Sequence, residues 1–157
     1  MRADNRKVKN TVVSIYFILI VFGILLITVF NSLEFLVDST FFVFLGLFVV
    51  LVLFHSIAGY FEYDSDGAKT VIINKGLVLT EYVNYRENKI EFVRSQLIGY
   101  KIKDYFLYKS LVVLVKTNDK EQVKERFNVT LLNRKKMRYV KQSLQKTLKE
   151  NKKRKEG

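Results

Sequence analysis

Thr11–Phe30, TVVSIYFILIVFGILLITVF, and Phe41–Tyr60, FFVFLGLFVVLVLFHSIAGY, decide how the rest of the chain is read. Each run is twenty residues long and contains no carboxylate, lysine or arginine. A helix of that length, at ~1.5 Å per residue, covers the ~30 Å of a hydrocarbon core. The runs are joined by Asn31–Thr40, which carries Glu34 and Asp38, so the pattern predicts a transmembrane helical hairpin over 11–60, spanning at 11–30 and 41–60. A cleaved signal peptide is the competing reading of the first run. Its apolar core exceeds the ~7–15 residues usual for such peptides, and no small-x-small cleavage pattern follows Phe30.

The cations set the orientation, because lysine and arginine near membrane ends stay on the cytoplasmic side. Residues 1–10 hold Arg2, Arg6, Lys7 and Lys9, the loop holds no cation, and all other basic residues follow Tyr60. Both termini are therefore expected in the cytoplasm, with the first ten residues acting as a topology signal too short and polar to fold. His55, the single histidine, lies about one turn from the cytoplasmic end of the second run. Neither run holds a carboxylate to relay its proton, which favours an interfacial imidazole.

About 97 residues remain outside these segments, enough for one small domain. The chain has no cysteine, so disulfides, thiolate catalysis and cysteine-held metals are excluded. Its net charge of +12 is uneven: residues 61–132 carry twelve basic and ten acidic side chains, residues 133–157 eleven and two.

From Phe61 the pattern changes to short alternating runs punctuated by turns, as expected of antiparallel strands. Phe61–Asp64 and Lys69–Asn74 flank Asp64-Ser65-Asp66-Gly67, a turn sequence that lacks the later ligands of a calcium loop. Leu77–Tyr85 and Lys89–Val93 follow, then an interruption at Arg94–Leu97. Tyr100–Asp104 comes next, Tyr105–Lys109 is an aromatic link, and Leu111–Val115 reads as the most buried strand. A turn at Asn118-Asp119-Lys120 precedes the last alternation, within Glu121–Leu132, for about seven strands in all. Asn133 is a good N-cap for a closing helix from 134, in which Met137, Val140, Leu144 and Leu148 form one apolar stripe. Lys146, Lys149, Lys152, Lys153, Arg154 and Lys155 crowd its end and the basic tail, 151–157. These six are the candidate contacts for anionic lipid headgroups or an acidic partner; an ordinary solvated face is the bland alternative.

The order of two membrane helices, a strand-rich module with KIEFVRSQLIGYKIKDYFLYKSLVVLVKT, and then RFNVTLLNRKKMRYVKQSLQKTLKE resembles the bacterial pleckstrin-homology-like, YcxB-like membrane proteins. The resemblance covers Phe61–Glu150, and its most specific parts are the Ser-Gln-Leu junction within Phe92–Ile98 and the closing basic amphipathic helix. It implies an α+β membrane protein whose 61–150 domain is a partly open antiparallel β-barrel plugged by its C-terminal helix. The final helix has no tryptophan and the first hairpin no Lys-x-Arg pattern, so inositide binding is not carried over.

Catalysis is unsupported by the residues: there is no histidine outside the second run, no glycine-rich phosphate loop and no paired carboxylate off the turns and exposed strand positions. No catalytic, metal or cofactor residue is expected. Two functions fit: a membrane-anchored adaptor at the cytoplasmic face binding a protein partner or anionic lipid, or an accessory subunit of a larger inner-membrane complex docking through the hairpin. The basic tail would attract nucleic acid too, but membrane attachment makes lipid the nearer polyanion, so no nucleic-acid partner is expected.

Overall fold

In the computed structural model, which describes residues 2–32, 45–51, 58–77, 87–117 and 121–156, the chain begins with a strand. Arg2–Asp4 (β1) pairs antiparallel with Tyr60–Asp64 (β2), Asp4 opposite Glu62. The helix Arg6–Ser32 (α1) follows without a linker. Residues 45–51 are helical (α2). Then come β3 (Lys69–Lys75), β4 (Asn88–Val93), a 3₁₀ turn at Arg94–Gln96, β5 (Leu97–Tyr105), β6 (Tyr108–Lys116), β7 (Gln122–Asn128) and α3 (Arg134–Glu156). The strands form two antiparallel sheets, β1-β2-β3-β4 and β5-β6-β7.

Alternation decides the faces. Phe61 and Tyr63 of β2, Ile72 of β3, Phe92 of β4, Leu111 and Val113 of β6 and Phe127 of β7 are all buried. Val140 and Leu144 of α3 close over them, with Met137 and Leu148 packed at the margin. Ala3 joins the same core at 1 % exposure, so β1 belongs to the domain although its three residues show no periodicity. The N-terminus, expected to act only as a topology signal, supplies an edge strand. The Lys136 ammonium donates to the Asp4 carbonyl oxygen and thereby covers part of that edge.

The expectation of a partly open barrel is corrected: among the described residues two separate sheets form, with no closed barrel. The 3₁₀ turn at Arg94–Gln96 ends the β4 ladder before β5 begins. At the other seam asparagine side chains take the place of backbone pairing. Asn74 Nδ2 donates to the Asn128 carbonyl while the Asn128 N–H donates to Asn74 Oδ1, and Asn88 Nδ2 donates to the Arg126 carbonyl. Beyond these staples the sheets gape around a cavity of about 570 Å³ lined by residues including Ile90, Phe92, Val115 and Val123.

The two-helix membrane hairpin is likewise corrected. Among the described residues one helix, within Arg6–Leu25, is long and apolar enough to cross a membrane, and only 6 % of that span is buried. Of the second run, 45–51 is described as helix. Most of the connection expected at Asn31–Thr40, residues 41–44 and 52–57 of the second run with His55, most of the strand expected at Leu77–Tyr85 and the turn expected at 118–120 lie outside the described residues.

Asp4 fixes the junction of strand and helix: its carboxylate accepts from the Arg6 N–H at 2.9 Å and lies 3.5 Å from the Lys136 ammonium. Burial works to raise its pKa, but the Arg6 N–H and Lys136 outweigh it and hold the carboxyl below its ordinary value. A carboxyl depressed on folding contributes stability above its unfolded pKa and loses it as pH falls through the folded one. Asp4→Asn is therefore expected to lower the melting temperature at neutral pH and leave it nearly unchanged in strong acid. A deficit equal at both pH values would show that Asp4 has no electrostatic role.

Candidate functional site

The candidate sites lie at the two ends of the fold. At the first, β1 runs directly into α1. Asn5, 2 % exposed, donates from Nδ2 to the Gly59 carbonyl at 2.8 Å and accepts at Oδ1 from the Phe61 N–H at 2.9 Å. Its carbonyl accepts from the Lys9 N–H and opens the helix. Gly59 must be small: a Cβ there would lie 3.2 Å from Asn128 Nδ2 and 3.3 Å from the Lys75 carbonyl oxygen. Arg6, Lys9 and Lys75 surround a cavity of about 340 Å³ beside Tyr60 and Glu62, with Lys9 over the Tyr60 ring at 5.5 Å. Glu62 accepts from the Tyr60 hydroxyl and pairs with Arg2, so one carboxylate already serves this cluster.

At the opposite end lies the C-terminal part of α3. Asn133 caps the helix as expected, its Oδ1 accepting from the Lys135 N–H and its carbonyl from the Met137 N–H. Lys136 sits at Asp4 in β1. Ser143 accepts from the Tyr63 hydroxyl at 2.9 Å and lies 3.3 Å from Ser65 Oγ, and Asn151 Nδ2 donates to the carbonyls of Arg94 and Leu97. The helix thus runs from the α1 junction to the far edge of both sheets. Burial raises the Tyr63 pKa against the opposing bonds from Ser143 and Ser65, so this hydroxyl stays neutral and structural.

The predicted contact residues Lys146, Lys149, Lys152, Lys153 and Arg154 are all exposed on this distal part of α3, and Lys155 belongs to the same helix. Helix continues through most of the segment expected as a separate basic tail. Arg134–Glu156 carries eleven basic and two acidic residues. Lys146, Lys149 and Lys153 line one shallow groove of about 380 Å³. Arg94 and Lys146 line another of about 390 Å³ with Asp66 and Glu150, and Arg94 donates to the Ser65 carbonyl there. Arg94 was not singled out by sequence reasoning, since an arginine in a turn carries no signal of its spatial neighbours.

Register gives the separation. Leu97, beneath Asn151, pairs with Val115, five residues along β6 from Ser110, which pairs with Asn128 beside Gly59. Five residues of strand extend ~16 Å, about twice the ~8 Å Debye length. Among the described residues no group of three His, Asp or Glu side chains is placed to share a metal ion. Comparison of the chain with models of known protein families, with curated proteins and with solved structures finds no match.

Proposed function

We propose that the protein is a non-catalytic adaptor anchored in a membrane by α1, holding a cationic helix end away from the bilayer to engage an acidic protein surface. The observation that carries this reading is the opposed placement of the two ends: α1 departs beside Asn5, whereas Asn151 pins the basic end of α3 to Arg94 and Leu97. Exposed lysines at that distance are poorly placed for the headgroups around α1 and well placed for a partner in solution. The cations flanking the start of α1 favour the cytoplasmic side for the folded domain. Kinship with bacterial pleckstrin-homology-like membrane proteins is part of this proposal and rests on sequence pattern.

The test uses the full chain in phosphatidylcholine nanodiscs with a fluorescent oligoglutamate peptide as the acidic probe. Salt-sensitive binding is expected, weakened about tenfold by joint substitution of Lys149, Lys152, Lys153 and Arg154 with glutamine. Because the chain has no native cysteine, a spin label at Lys153→Cys reports position directly. It should remain water-accessible in anionic vesicles; contact with headgroups, or peptide binding indifferent to the four substitutions, would overturn the proposal.

A further inference from the structure

The β5–β6 hairpin ends in Tyr105-Phe106-Leu107-Tyr108, and its tip is bare: Phe106 is 100 % exposed, Leu107 65 % and Tyr105 51 %. Two-residue hairpin turns favour glycine, asparagine and aspartate, so turn formation does not call for phenylalanine and leucine here. Tyr105 and Tyr108 stack at 6.4 Å beneath them, and Lys103, Lys109 and Asp104 follow, the last two paired at 2.8 Å. Four apolar or amphipathic side chains above a basic collar have the composition of a membrane-interface anchor.

The topology puts the tip at the end from which α1 leaves. Ser110 pairs with Asn128, the Asn128 side chain abuts Gly59, and Gly59 accepts from Asn5 at the start of α1. From Ser110 the hairpin continues four residues to Phe106, ~13 Å of strand. From Asn5, α1 needs six residues, ~9 Å, to reach Thr11, where its uncharged run begins. Measured from that shared contact, the hairpin is at least as long as the polar start of α1.

We propose that the Tyr105–Tyr108 tip inserts into the lipid interface of the bilayer that α1 enters, with Lys103 and Lys109 at the headgroup phosphates, as a second attachment of the domain. This rests on the reading of α1 as a membrane anchor. The occupant is lipid because the tip shares its end of the fold with that helix, while the distal basic end faces away.

The chain has no tryptophan, so Phe106→Trp and, separately, Leu107→Trp each introduce one reporter into the full-length protein, and Phe17→Trp in α1 is the reference. Each variant is reconstituted in phosphatidylcholine vesicles with or without brominated acyl chains. Both hairpin tryptophans are expected to emit to the blue and lose most of their emission to brominated lipid. Quenching at position 17 with water-like, unquenched emission at 106 and 107 would overturn the inference and leave the anchor intact. Absence of quenching at all three would remove the anchor and the inference together. Pure lipid vesicles contain no protein partner, so quenching there cannot come from one.

Discussion

Asn5→Leu is expected to destabilise the domain by about 1–3 kcal/mol for each of the two main-chain groups it leaves without a partner, the Gly59 carbonyl and the Phe61 N–H. Leucine shares asparagine's branching at Cγ but is larger, so overpacking at this buried site adds to the lost hydrogen bonds. The side chain is 2 % exposed, which leaves water little access to the vacated groups. Thermal melting of the full chain in detergent, followed by far-ultraviolet circular dichroism, measures it. Asn10→Leu, at an exposed position on the same helix, should change little. Equal melting temperatures for wild type and Asn5→Leu would mean that α1 is joined to the sheet only through the polypeptide.

Leu144→Ala should cost roughly 2–5 kcal/mol, because the side chain is 1 % exposed and sits in the core formed by both sheets and α3. A domain of about a hundred residues has a total stability of only ~5–15 kcal/mol. The variant is therefore expected to melt well below wild type, whereas Tyr139→Ala, at an exposed position on the same helix, stays within ~0.5 kcal/mol. Indistinguishable melts for Leu144→Ala and Tyr139→Ala would show that α3 is not part of the core. A fragment starting at Phe61 is a poor substrate for this measurement, since it lacks Ala3 and Asn5, both buried in the intact chain.

What was legible in the sequence was local. Alternation and turn residues located β2, β3, β4, β6 and β7 to within a few residues, Asn133 marked the start of α3, and the stripe from Met137 to Leu148 identified its buried face. β1 was not legible, because three residues cannot display a period of two and their partner strand lies more than fifty residues away. The partly open barrel was misread because Asn74 and Asn88, which look like turn residues in sequence, use their side chains to staple the sheets where a ladder would otherwise run. Lys146 and Lys149 were expected on the closing helix and Lys152, Lys153, Arg154 and Lys155 in a separate tail, whereas α3 carries all six, and its address in space depends on Asn151 meeting Arg94 and Leu97, which no periodicity records. Tyr105–Lys109 was read as a link because an aromatic run in a strand-rich segment looks the same whether it is buried or bare.

The pairing of β1 with β2 also orders events during synthesis. Asn5 finds its partners 54 and 56 residues further along. β1 therefore waits, next to α1, until β2 has been translated. Closing a flexible loop of that length costs roughly 3.5 kcal/mol in chain entropy beyond a constant. Under the proposed anchoring, a helix lodged in the bilayer would confine Arg6 near the membrane surface and shorten the search. β1 then joins the sheet only once β2 has followed it, and under the proposed anchoring the insertion of α1 comes before completion of the domain.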